Sequence, residues 1–228
     1  MYLKHVIFDM DGVLFDSERM YEEGLMRNAP KYGIAPTHEI FLQTVGSSEK
    51  ASKDIFFSHY GRFDYDALRT DIRLHILTQM KNGNIPLKKG VLNLLTYLKE
   101  QSVRIALATS TRRSTVEVML KTADILRYFD FTVCGDEVKK PKPNPEIFLT
   151  AMNALGGTRS NTLVVEDSHN GVRAAGAAGI PVLVVPDMLP PLPELANFAV
   201  VNDLDEAKEL LMPFVEGHSA GTAVLHRS

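Results

Sequence analysis

A chain of 228 residues, 45% hydrophobic and 23% charged, holds enough apolar material for one large globular domain or for a domain carrying a smaller one. Its net charge of -3, with basic residues scattered apart from Lys88-Lys89, Arg112-Arg113 and Lys139-Lys140, gives no electrostatic footprint for nucleic acid. The single cysteine, Cys134, excludes an internal disulfide and fits a reducing cytoplasm, and no run approaches the ~18 apolar residues of a membrane span.

The first apolar run, Leu3 to Phe8, predicts a buried strand that begins with no signal-like segment before it. It stops at Asp9-Met10-Asp11-Gly12. Two carboxylates two residues apart at a strand end point to one side of the sheet. Like charges that close resist ionising together, and a divalent metal with a preference for oxygen ligands, magnesium, relieves this. From residue 16 to about 85 the apolar spacing is helical only: Met20, Leu25 and Ala29; Ile40, Phe41 and Val45; Leu68, Ile72, Ile76 and Met80. Gly33, Gly46, Gly61 and Asn82-Gly83-Asn84 punctuate these helices, and Ser17 reads as a helix N-cap. This block predicts an inserted all-helical cap domain that closes over the strand ends.

Strand and helix then alternate. Val91, Leu92, Leu94, Leu95 and Leu98 make a helical stripe, Val103 to Ala108 a strand, and Val116, Met119 and Leu120 the next helix. Phe131 to Cys134 predicts a strand, with Cys134 packing its end; Ile147, Phe148, Ala151 and Leu155 a helix; and Leu163 to Val165 a strand stopped by Glu166-Asp167. Val172, Ala175 and Ala178 form a helix ended by Gly179, and Pro181 to Val185 is the last strand. Continuous apolar strands alternating with helices predict an α/β fold, a doubly wound parallel sheet covered on both faces. The core is expected over 1–15 plus 86–215, the cap over 16–85, and a poorly ordered tail over 216–228. In such sheets ligands bind beyond the carboxyl ends of the strands, where Asp9, Thr109 and Asp167 all lie.

Taken in order, Asp9-x-Asp11-Gly12, Thr109, Lys142-Pro143 and Glu166-Asp167 resemble the four motifs of the haloacid dehalogenase superfamily. A helical insert directly after the first motif resembles the subgroup of small-molecule phosphatases and β-phosphoglucomutases. The resemblance implies that Asp9 is a nucleophile forming an aspartyl-phosphate, and that Asp11 protonates the leaving oxygen and then activates water. It implies that Gly12 permits the tight turn beside phosphate-binding amides, and that Thr109 and the Ser110 amide hold the phosphoryl group. Lys142 would neutralise Asp9 and the phosphoryl; Lys139 and Lys140 are neighbours, but only Lys142 fits lysine-proline-x-proline followed by an acid. Magnesium would be held by Asp9, Asp11 and Asp167, with Glu166 a ligand or one shell out, and with Ser168 and Asn170 supporting the loop. His169 reads as an exposed bystander.

Mutases of this family resemble one another in carrying a cap histidine and a cap arginine where this chain has Tyr21 and Ser48. The implied activity is therefore magnesium-dependent hydrolysis of a small phosphomonoester, a sugar phosphate or nucleotide-like metabolite, with the mutase as alternative and a non-catalytic binding module as a remote one. Tyr21, Ser47, Ser48 and Lys50 are the expected cap contacts to substrate. A cytoplasmic monomer acting on a small phosphorylated metabolite is expected, with neither nucleic acid nor membrane as partner.

Overall fold

In the computed structural model, residues 2–45, 47, 49–84, 86–188, 190 and 199–216 are described. The apolar run at the N-terminus forms β1 (His5–Phe8), all four residues buried. Four helices follow: α1 (Ser17–Asn28), α2 (His38–Thr44), α3 (Glu49–Tyr60) and α4 (Tyr65–Lys81). The remaining elements are α5 (Val91–Glu100), β2 (Arg104–Ala108), α6 (Arg113–Thr122), β3 (Phe131–Val133), α7 (Glu146–Ala154), β4 (Thr162–Glu166), α8 (His169–Ala178), β5 (Val182–Val184), β6 (Ala199–Val200) and α9 (Leu204–Val215). The chain divides into two compact units, one built from residues 1–15 with those from Leu87 onward, the other from Asp16–Pro86.

In the first unit the strands pair in parallel in the order β3-β2-β1-β4-β5-β6. The α/β class and doubly wound parallel sheet are as expected. Both central strands are buried throughout because both faces of the sheet are covered. Ile7, Ala106 and Val164 pack with Phe148, Ala151 and Val172 in one core, and burying each large side chain contributes about 1.5–3 kcal/mol. Helix α8 starts at the Ser168 N-cap, whose hydroxyl accepts from Gly171 N, and stops at Gly179 in the left-handed conformation.

The second unit is helical. Gly24 of α1 lets α4 approach closely: a Cβ there would lie 3.2 Å from Ile72 and His75. Buried Phe56 and Tyr65 form an aromatic cluster with the half-buried Phe57 and Phe63. Ser17 is not the N-cap of α1. The Asp16 amide is used by the Pro86 carbonyl, so Asp16 takes the cap position and Ser17 becomes the first helical residue, with its buried hydroxyl unpartnered among the described residues. Two elements, β6 and α9, lie beyond those to which the apolar runs pointed. The expected tail falls almost wholly outside the described residues. No described helix is long and apolar enough to cross a membrane.

Candidate active site

Each candidate core residue follows a strand or the loop beside one. Asp9 leaves β1 with its amide donating to Val165 O at 2.9 Å, and is almost fully buried. The chain then turns tightly: Gly12 N donates to Phe15 O and Phe15 N to Met10 O. Gly12 has a φ of +76°, and a Cβ there would lie 2.2 Å from Asp167 Oδ2. Only glycine combines that left-handed backbone with that approach. The turn thus brings the carboxylates of β1 and β4 together.

At the end of β2, Thr109 is fully buried and its amide donates to Val133 O. Its hydroxyl accepts from Thr111 N at 3.0 Å and lies 3.5 Å from Asp11 Oδ2, at the limit of a hydrogen bond. The firm contact to Asp11 comes from Thr111, whose hydroxyl donates to Oδ2 at 2.6 Å. Sequence reasoning passed over Thr111; the available signal was a run of hydroxyl residues, Thr109-Ser110-Thr111, at a strand end. Ser110 is exposed, and its carbonyl lies where a Cβ on Gly135 would fall, 2.0 Å away.

Lys142 reaches the centre of the site. Its Nζ donates to Asp9 Oδ1 at 2.6 Å and to Glu166 Oε1 at 2.7 Å, with its side chain 5% exposed and its ammonium over the Phe148 ring. Lys139 and Lys140 are exposed instead. Their amides donate to the two carboxylate oxygens of Glu146, and Glu146 N donates to Asn144 Oδ1, which shapes the loop that presents Lys142. Burial works against the charge of Lys142, but Asp9 and Glu166 outweigh it and hold the ammonium above the ordinary lysine range.

Glu166 is fully buried and saturated with donors. Oε1 takes Lys142; Oε2 takes the amides of Asp167 and Ser168 and the Ser168 hydroxyl. Gly171 makes room for it, since a Cβ there would lie 1.6 Å from Oε1. Asp167 differs: its Oδ1 is buried with no hydrogen bond among the described residues. Burial, then the charges of Glu166 and Asp9, push its carboxyl well above the ordinary aspartate value. Asp9 is pushed up to about 7, first by burial and then by Glu166 and Asp11, with Lys142 opposing.

Oxygens of Asp9, Glu166 and Asp167 lie within 4.8 Å of one another. Three clustered carboxylates share one ammonium, which pairs with Asp9 and Glu166, so ionising all three leaves two negative charges over. The orphaned Asp167 oxygen, the excess charge and an all-oxygen donor set fit a hard divalent cation.

The expected cap residues belong to the helical unit. Tyr21 stacks on Phe41 and hydrogen-bonds Arg69 of α4, which in turn pairs with Glu49. Arg69 is a cation in this unit that the reading of Tyr21 and Ser48 overlooked. Ser47 is exposed and donates to Thr44 O or shares a hydrogen bond with Ser52. Ser48 lies outside the described residues. His169 is half-buried rather than exposed, with Nε2 3.1 Å from Pro190 O, because α8 begins at this residue against the following loop.

Residues 6–185 match the model of the haloacid dehalogenase-like hydrolase family. The chain is 32% identical over 212 residues to "Phosphorylated carbohydrates phosphatase" of Thermotoga maritima, covering 92% of this chain and 90% of that one. It is 36% identical over 192 residues to the Drosophila melanogaster protein named "Probable pseudouridine-5'-phosphatase", covering 80% and 81%. Among solved structures, a HAD family hydrolase from Deinococcus radiodurans with bound phosphate and sodium shares the fold, with a TM-score of 0.79 at 20% identity over 93% of this chain and 96% of that one. A parallel sheet that gathers Asp9, Asp11, Thr109, Lys142 and Asp167 at its carboxyl edge, and a family match across most of its length, make this chain a member of the haloacid dehalogenase-like hydrolase family.

Proposed function

We propose that the protein is a magnesium-dependent phosphatase that hydrolyses a small phosphomonoester, a sugar phosphate or nucleotide-like metabolite, through a phosphoryl group carried on Asp9. The observation that carries this is the buried Lys142 ammonium held between Asp9 Oδ1 and Glu166 Oε1. A lysine fixed there lowers the repulsion between an attacking carboxylate and a phosphate dianion.

Asp9 attacks phosphorus, the bond from phosphorus to the ester oxygen breaks, and Asp11 delivers a proton to that oxygen as it leaves as an alcohol. Water then attacks the phosphoryl group, Asp11 takes the water's proton, and the bond to Asp9 breaks, which releases phosphate and regenerates the carboxylate. Thr111 fixes the Asp11 carboxylate between these steps, while Thr109 and the Ser110 amide are assigned to the phosphoryl oxygens and Gly12 to the turn beside them. Asp9, Asp11 and Asp167 would hold magnesium, with Glu166 anchoring Lys142 beside it. Once bound, the cation neutralises the carboxylates and the phosphoryl oxygens. Selection among phosphate esters falls to the inserted helical unit, with Tyr21, Ser47 and Ser48 as the assigned contacts.

The names of the Thermotoga and Drosophila relatives support this substrate class. The test is phosphate release with magnesium from hexose phosphates, nucleoside monophosphates, pseudouridine phosphate and β-glucose 1-phosphate, the last also assayed for glucose 6-phosphate. Release from one or a few esters, abolished in Asp9→Asn, is expected. Glucose 6-phosphate formed without free phosphate would replace the phosphatase with a mutase.

A further inference from the structure

The sheet order places β4 between β1 and β5, so the loop carrying Asp167 is flanked by the turn after β1 and the loop after β5. Glu166 lies in register with Val184, and Val185 N donates to Glu166 O at 2.8 Å. Asp167 and Asp187 therefore leave neighbouring strands at the same carboxyl edge. Lys88 is tied to the turn after β1, its amide donating to Leu14 O at 2.9 Å, and its Nζ pairs with Asp187 Oδ1. The pair thus spans the strand that carries Asp167.

The Asp187 side chain is 4% exposed, yet its Oδ2 makes no hydrogen bond among the described residues. Asp167 Oδ1, one strand away, is orphaned in the same manner. An ion pair that served only to staple two loops has no use for a buried acceptor without a donor, which disfavours the folded state.

We propose that Asp187 is a positioning residue for the divalent cation: its free Oδ2 accepts a hydrogen bond from the cation's hydration shell, and Lys88 fixes the direction of the carboxylate. This rests on the reading of Asp9, Asp11 and Asp167 as the ligands. Magnesium-type cations keep several waters when protein-bound, and loss of an outer hydrogen-bond partner typically weakens metal binding by about 10–100-fold.

The test is Mn2+ binding to the metal-free protein, read from the paramagnetic resonance signal of free Mn2+, so no turnover is involved. Asp187→Leu removes both carboxylate oxygens and one charge, whereas Lys88→Gln with Asp187→Leu leaves the net charge of the pair unchanged. Weaker binding in the double variant therefore reports the lost acceptor and not a lost charge. We expect a Kd at least about 10-fold weaker in both, and binding lost in Asp167→Asn. A double variant within about twofold of wild type, with Asp167→Asn inactive in binding, would leave Lys88–Asp187 as a loop staple and overturn the proposal alone. Asp167→Asn that binds Mn2+ as wild type does would overturn the ligand reading and this proposal together. Near-ultraviolet circular dichroism checks folding; if the double variant fails it, Lys88→Met with Asp187→Met, equally neutral and without the acceptor, decides on the same thresholds.

Discussion

Gly12→Ala separates backbone strain from crowding at the candidate site. The substitution carries two costs. At a φ of +76° an L-residue is disfavoured by about 1–2 kcal/mol, which lowers Tm by roughly 2–8 °C for a chain of this size. The second cost is specific to the site: the new Cβ would lie 2.2 Å from Asp167 Oδ2 and 2.7 Å from its Cγ, where ordinary contact begins at 3.4 Å. The carboxyl must retreat by about 1 Å, and a displacement of that size at a reacting constellation is worth about 100-fold in rate. Gly156→Ala is the control, with a φ of +70° and nothing within 4 Å of its Cβ. Melting curves without metal, and kcat/KM with the magnesium concentration for half-maximal rate, should show similar Tm losses in both variants. Only Gly12→Ala should lose activity and need more magnesium. Equal activity in the two variants would refute the assignment of Gly12 as the residue that lets Asp167 into the site.

Other outcomes follow from the same contacts. Thr111→Val removes the 2.6 Å donor to Asp11, a hydrogen bond to a charged group worth about 1.5–3 kcal/mol, and kcat should fall by about 10-fold or more with KM little changed; unchanged kcat would remove Thr111 from the mechanism. Glu146→Gln keeps the side chain's size but weakens its hold on the Lys139 and Lys140 amides, so proteolysis within 139–145 should quicken and activity fall; a variant cleaved and active like wild type would show that Glu146 does not shape the Lys142 loop. Glu137 gives an acid-stability prediction. Its carboxyl lies below the ordinary value of 4.5, chiefly through the hydrogen bond from Arg113. A depressed carboxylate stabilises the fold above its unfolded pKa and loses that contribution as pH falls through the folded one. The gap in urea midpoint between wild type and Glu137→Gln should therefore be full at pH 7 and shrink below about pH 4.5. A gap of constant size would show that ionisation of Glu137 is not coupled to folding.

The legible parts of the molecule were those set by short-range patterns. Strands buried on both faces leave continuous apolar runs, and an acid or hydroxyl at each end marks the carboxyl edge, so Asp9, Thr109 and Asp167 could be located before any coordinates. Thr111 was hidden because its partner Asp11 is 100 residues away, and a hydroxyl gives no sign of which acceptor it will meet. The saturation of Glu166 depends on Lys142, on two amides and on the absence of a side chain at Gly171, which no local spacing encodes. Helix α9 has the right apolar spacing at Leu204, Ala207, Leu211 and Val215, but it carries Pro213 inside it, a residue that argues for an earlier stop. Ser17 failed as a cap because it is already helical, with Asp16 in the N-cap position before it.

The central position of β1 bears on the order in which the protein can be made. The strand that carries Asp9 is synthesised before both strands that pair with it, β2 and β4, with the whole helical unit between it and the nearer one. At about 5–20 residues per second, β2 leaves the ribosome some 5–20 s after β1. Throughout that interval a four-residue core strand has neither edge paired, while the helical unit of 16–86, whose residues are all translated before β2, can already form. The strand that carries Asp9 is thus made well before both of its partners, and aggregation during synthesis should be most sensitive to substitutions in His5–Phe8.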